Sequence, residues 1–179
     1  MPAMDATLKE RAAAIRLLVL DVDGVLTDGK LYFDNDGNEL KAFNSRDGLG
    51  IKALQHCDIE VAVITGRTSG AVTHRMAQLG IQHVYQGRVD KLTAFMDLLE
   101  ITGLDAQQVC FAGDDWIDLP LLQRVGLAIS VADAEDLVKE QAHWVTSRNG
   151  GRGAVREICN LLLSAQGRQH TIMDEILAS

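Results

Sequence analysis

The chain has 179 residues, with 17 Lys and Arg against 25 Asp and Glu, a formal net charge of −8 and a pI near 5.0. Its 47% hydrophobic and 23% charged content is that of an ordinary globular protein, which excludes wholesale disorder, and its length suits a single domain. An acidic balance with 4% aromatics supplies neither a phosphate-neutralising surface nor a base-stacking platform, so nucleic acid is not an expected partner.

The longest apolar stretches, such as Leu17–Leu20, are far below a membrane span, and residues 1–5 show no secretory pattern, so no membrane partner and a cytoplasmic location are expected. Cys57, Cys110 and Cys159 are odd in number and form no C-x-x-C pair, which favours buried reduced thiols.

A short helix is expected over residues 6–14, followed by an apolar strand over 16–20 that stops at Asp21-Val-Asp23-Gly24. Residues 31–33 and 40–43 flank the turn-rich 34–37, which predicts a hairpin; a calcium loop there fails because its sixth position is Glu39 and not Gly. Helices over 47–57 and 69–79 then alternate with strands over 61–64 and 83–85. A helix from Asp90, a strand over 109–112, a helix over 116–124 and strands over 127–130 and 144–146 continue the rhythm. Gly150-Gly-Arg-Gly153 reads as a flexible point before an amphipathic helix to about residue 165. Alternation of this kind predicts an α/β fold with a doubly wound, mostly parallel, Rossmann-like sheet. One domain is expected across 1–179, with its core at about 16–165, a hairpin insertion at about 30–43, no cap domain, and a flexible tail at about 166–179.

In such a sheet ligands bind beyond the carboxyl ends of the strands, and several of those ends carry polar groups here. Asp21 and Asp23 follow the first strand, Thr65-Gly66-Arg67 the second, Lys91 opens a later helix, and Asp114, Asp115 and Asp118 follow the strand ending at Ala112. So many carboxylates in one crevice raise one another's pKa unless a cation compensates, and hard oxygen donors without His or Cys favour Mg²⁺. Asp21 is the expected nucleophile toward phosphorus, because a carboxylate is ionised at neutral pH without an activating base. Asp23 is the expected acid and base, Thr65 and Lys91 the groups that stabilise the transferring phosphoryl oxygens, and Asp114 a metal ligand.

D-V-D-G, T-G-R, Lys91 and G-D-D-x-x-D, in this order, resemble the four motifs of the haloacid dehalogenase superfamily of aspartate-nucleophile phosphatases. Many members close their site with a cap, but the segments from Asp21 to Thr65 and from Thr65 to Lys91 are too short to hold one. The site should therefore be open and completed by other copies of the chain, with Tyr32 and Phe33 on the hairpin as the associating surface. Arg46, Lys52, Arg67 and Arg75 on an acidic protein point to a substrate with a carboxylate besides its phosphate.

The wording over residues 17–167 is similar to the capless branch that acts on an eight-carbon acid-sugar phosphate of lipopolysaccharide synthesis. That resemblance implies a Mg²⁺-dependent homotetramer. It implies metal ligation by Asp21, by Asp23 through its backbone carbonyl, and by Asp114. It implies substrate contacts at Asp23, Asn44, Ser45, Arg46, Asp47, Gly48, Lys52, Arg67, Arg75, Lys91 and Asp115, with Arg152 an anion contact in a tail reaching a neighbouring subunit. The same basic cluster would also serve a nine-carbon acid-sugar phosphate. A phosphorelay receiver shares the acids, Thr and Lys, yet places its acidic pair first and its acceptor Asp later; an interaction protein that lost catalysis would not keep every catalytic residue type.

Overall fold

The computed structural model describes residues 6–169. The run Leu17–Leu20 forms β1, buried along its whole length because it lies between two neighbours: Leu18 pairs with Val61 on one side and Cys110 on the other. Those neighbours are β4 (Glu60–Ile64) and β6 (Val109–Gly113), and β5 (His83–Tyr85), β7 (Leu127–Ser130) and β8 (Trp144–Val145) extend the sheet outward. The order is β5-β4-β1-β6-β7-β8 with every pairing parallel, so all the carboxyl ends share one edge. The fold is the expected doubly wound α/β sheet.

Right-handed crossovers decide where the helices lie. The connections β1 to β4 to β5 run one way, through α2 (Ser45–His56) and α3 (Gly70–Leu79). From β5 the chain turns back through α4 (Lys91–Thr102) to β6 and on through α5 (Leu119–Leu122) and α6 (Asp136–Gln141), which therefore cover the other face. α1 (Ala6–Ala13) and α7 (Ala154–Ala165) join α2 on the first face. The two crossover directions diverge at β1, which puts a topological switch point beside Asp21.

Between β1 and α2 the chain makes a separate antiparallel pair, β2 (Tyr32–Phe33) with β3 (Glu39–Leu40), shorter than the sequence pattern implies. Asp34 closes its turn by accepting from the backbone N–H groups of Asp36 and Asn38. Further departures have local causes. The expected helix over 116–124 divides into a 3₁₀ turn, Trp116–Asp118, and α5, because Pro120 belongs in a first helical turn and not an interior. α6 has no counterpart in the sequence reading, since a six-residue helix that buries only Val138 leaves too little periodicity to detect. All three cysteines are buried, and no helix of the described residues is long and apolar enough to cross a membrane. The expected tail lies mostly outside the described residues.

Candidate active site

The β1 ladder continues one residue past the strand, with the Asp21 N–H donating to the Ala112 carbonyl at 3.1 Å, so the Asp21 side chain is delivered to the carboxyl edge of the sheet. Asp114 follows β6 directly, and Thr65 follows β4 with its N–H on the Tyr85 carbonyl. Lys91 is the first residue of α4, whose start is set by Asp90 accepting from the backbone N–H groups of Leu92 and Thr93. Four separate elements thus bring their polar ends to one place.

Lys91 is buried, and its ammonium lies 2.6 Å from Asp118 Oδ1 and 2.9 Å from Asp21 Oδ1. The Asp118 contact is a directed hydrogen bond; the Asp21 contact is an ion pair that leaves Asp21 Oδ1 without a hydrogen-bond partner. Burial works against the lysine charge, but Asp21 and Asp118 outweigh it and raise the Lys91 pKa. The other Asp118 oxygen accepts from the backbone N–H groups of Asp114 (2.9 Å) and Asp115 (3.3 Å), so both of its oxygens are engaged. Asp118 is a clamp joining Lys91 to the loop after β6.

Asp21, Asp114 and Asp118 offer carboxylate oxygens all within 4.8 Å of one another, the grouping among the described residues that could hold a metal ion. Since Asp118 is fully used, the donors left for an ion are Asp21 and Asp114, each with a buried oxygen that has no hydrogen-bond partner. Burial first, then Asp118 against the opposing pull of Lys91, raises the Asp21 pKa to about 6; burial, Asp21 and Asp118 raise that of Asp114 to about 8. Negative charge is uncompensated here, which fits a hard cation.

The Asp21–Gly29 loop is tightly supported. Gly24 has φ +91°, and a Cβ there would lie 1.9 Å from Asp114 Oδ2, so the turn tolerates no other side chain. Thr27 Oγ1 donates to the Val22 carbonyl and accepts from the Gly24 and Gly29 N–H groups, a role no motif announces. The segment expected to be a flexible point instead packs against this loop: Gly151 N–H donates to the Val25 carbonyl at 3.0 Å, and a Cβ on Gly150 would lie 1.6 Å from the Gly24 carbonyl oxygen. Its glycines serve close backbone approach, not mobility.

Asp23 meets Lys41, the residue just after β3, whose ammonium is buried and hydrogen-bonds Asp23 Oδ1. Glu39 lies 3.4 Å from Lys41 and accepts from Arg67 at 2.9 Å, while Arg67 Nε stands 4.0 Å from Asp23 Oδ2. Lys41 and Glu39 belong to no motif in the sequence, and only their place in the hairpin stem puts them here. Beside them a cavity of about 450 Å³ is lined by Asp28, Tyr32, Asn44, Ser45, Arg46 and Arg152, among others. Asn44 caps α2 by accepting from the Arg46 N–H and donates to the Gly151 carbonyl. Arg152 is exposed, 3.7 Å from Asp28 of its own chain.

Several expected substrate contacts are engaged elsewhere. Asp47 is buried, with Oδ1 accepting from the Arg156 N–H at 2.8 Å, so it caps the start of α7. Gly48 is covered by the Arg75 guanidinium, which also donates to Gln78. Lys52 reaches toward Gly80 at the far end of α3, and Asp115 accepts from the adjacent Trp116 N–H.

A profile of haloacid dehalogenase-like hydrolases matches residues 80–158. The 3-deoxy-D-manno-octulosonate 8-phosphate phosphatase KdsC of Escherichia coli K12 is 54% identical over 165 residues, covering 92% of this chain and 88% of that protein. The crystal structure of the corresponding phosphatase from Yersinia pestis superposes with a TM-score of 0.91 at 51% identity, covering 92% of this chain and 89% of that one. That of the Moraxella catarrhalis enzyme, in complex with a magnesium ion, a phosphate ion and a KDO molecule, gives 0.92 at 38% identity, covering 94% and 97%. With its motif acids gathered at one sheet edge and identity of this extent across nearly its whole length, the chain belongs to the KdsC family of haloacid dehalogenase-like hydrolases.

Proposed function

We propose that the chain is a Mg²⁺-dependent phosphatase that hydrolyses 3-deoxy-D-manno-octulosonate 8-phosphate, in lipopolysaccharide synthesis, through an aspartyl-phosphate. The observation that carries this reading is the buried pair Asp21 and Asp114 at the switch point of the sheet, with Asp21 Oδ1 ion-paired to Lys91 and Asp114 Oδ1 left without a hydrogen-bond partner. Asp21, Asp114 and the Asp23 backbone carbonyl would hold the ion, which supplies charge neutralisation that lets a carboxylate approach a phosphate.

An Asp21 oxygen attacks phosphorus, forming the acyl-phosphate bond as the bond to the sugar oxygen breaks, and Asp23 gives its proton to the departing alkoxide. Asp23 then takes a proton from water as that water attacks phosphorus, the Asp21 bond breaks and inorganic phosphate leaves. Thr65 and Lys91 act on the phosphoryl oxygens, where most of the barrier reduction in such reactions lies. Arg46 and Arg67, with Asn44 and Ser45 at the cavity, are the contacts for the sugar acid; Arg152 completes them. Arg75 and Lys52 would join only through a second copy or a rearrangement of their side chains.

The exposed apolar hairpin and the open cavity support a homo-oligomer, a tetramer by family resemblance, in which neighbours complete the rim. Buried thiols support a cytoplasmic location, with neither membrane nor nucleic acid as partner.

The test is phosphate release from a panel of phosphorylated eight- and nine-carbon acid sugars, with and without chelator. The eight-carbon ester should give the highest kcat/KM, chelation should abolish release, and Asp21→Asn should lower it by about 10³-fold or more. Preference for the nine-carbon ester would reassign the substrate, and full activity in Asp21→Asn would overturn the chemistry.

A further inference from the structure

We infer that Lys41 is a positioning residue for the proton transfers of this reaction: anchored in the hairpin stem, it holds one oxygen of Asp23 so that the other alone faces the reacting phosphate. The inference rests on the proposed phosphatase chemistry and adds to it a residue outside every motif. Three observations carry it. The Lys41 side chain is 1% exposed, so its hydrogen bond to Asp23 Oδ1 is shielded from water and strong for its type. Asp23 Oδ2 is buried and accepts no hydrogen bond, with Arg67 Nε standing 4.0 Å away, so it keeps its lone pairs for a substrate. Lys41 is in turn held by Glu39, and Glu39 by Arg67 of the T-G-R loop, so the stem is tied to the site from two sides.

A carboxyl group that must first give and then take a proton gains from having one of its oxygens fixed, because the carboxyl group otherwise rotates among several arrangements. With Oδ1 engaged by Lys41, Oδ2 is left to protonate the sugar alkoxide and then to accept the proton of the attacking water. The hairpin is thereby part of the catalytic apparatus as well as a surface.

The experiment uses the difference between two esters. An alkyl phosphate, 3-deoxy-D-manno-octulosonate 8-phosphate, needs a proton on its leaving oxygen, whereas p-nitrophenyl phosphate releases a stable phenolate without one. Lys41→Met, close in length and apolar, should lower kcat/KM for the sugar ester by about 10–100-fold and the pre-steady-state burst of nitrophenolate much less, so that the ratio of the two falls at least about 10-fold. Lys41→Arg should restore part of that ratio. In an Asp23→Asn background, adding Lys41→Met should change the nitrophenolate burst by less than about 2-fold, and this double variant, which leaves no buried unpaired charge, decides the matter if Lys41→Met alone folds poorly.

Equal losses on both esters, or a further tenfold loss in the Asp23→Asn background, would overturn the role of Lys41. Wild-type protein that turns over neither ester, or Asp21→Asn protein that still forms an acyl-phosphate, would instead overturn the phosphatase reading, and the inference with it.

Discussion

The floor of the site and the hairpin above it are both built around buried ammonium groups, yet they are stabilised differently. On the floor, Lys91 and Asp118 are buried at the carboxyl edge of the full sheet, with the ring of Phe111 in β6 centred 6.0 Å from the ammonium. The hairpin has two residues in each strand and no core of its own, and an isolated pair of this size is marginal in water. Its stem is held by Lys41, Glu39 and Arg67, and its outer side leaves Phe33 and Leu40 each 57% exposed. Ionic contacts hold the stem with little core behind them, whereas on the floor the ion pairs of Lys91 are backed by the packed core. The floor is complete within one chain, and the hairpin presents apolar surface to something else.

The comparison is broken most severely at Asp118. Asp118→Ala strips Lys91 of its closer partner and leaves the Asp114 and Asp115 N–H groups unsatisfied, so it should cost about 3–5 kcal/mol of stability. Activity in the protein that remains folded should fall about 10²-fold, because Lys91 and Asp114 both lose their placement. Urea denaturation and phosphate release check the two parts; a loss below about 1 kcal/mol would mean that the floor is no tighter than the hairpin stem.

How much of this is legible in the chain follows from the same contrast. Apolar runs ending in acids announce strand ends, so Asp21, Asp23, Thr65, Lys91 and Asp114 could be placed without coordinates. The consecutive stretch Asn44, Ser45, Arg46, Asp47 and Gly48 could not share one role, because residues in a helix turn about 100° apart and point in different directions. Asn44 and Arg46 line the cavity, while Asp47 turns to α7 and Gly48 to Arg75. Lys52, one turn beyond Gly48 on the same face, lies farther along the helix and reaches Gly80 instead. Lys41 carries no such signal, because a two-residue strand gives no periodicity from which a facing could be inferred. Gly150 and Gly151 read as a hinge because glycine permits both motion and close contact, and only the backbone of Gly24 and Thr27 against them tells which.

A gentler way to probe the floor is through its protons. Asp21 and Asp114 both have folded-state pKa values above the ordinary carboxylate 3.8, at about 6 and about 8. Between 3.8 and those values the metal-free fold keeps protons that the unfolded chain has released, so the folded state binds more protons and its stability falls as pH rises through the window. A divalent cation replaces those protons, and its binding should release them and strengthen with pH. Thermal melts with and without Mg²⁺ should therefore separate by several degrees more near pH 8 than near pH 5.5, and calorimetry in two buffers should show proton release. A separation independent of pH would sink the assignment of Asp21 and Asp114 as the ion's carboxylate ligands.

The smallest effect on folding belongs to the hairpin surface. Phe33 is 57% exposed, so Phe33→Ser removes less than half of the ring's area from contact in the single chain and should cost no more than about 2 kcal/mol. If the apolar outer side meets other copies of the chain, the same change should lower the mass measured by light scattering. Turnover of p-nitrophenyl phosphate, which makes no demand on a sugar-binding rim, should stay near wild type, while KM for the sugar ester rises as the rim loses its neighbour. A variant that keeps the wild-type mass would show that the surface serves something other than self-association. One that unfolds would show that the tip, like the floor, is already part of a core.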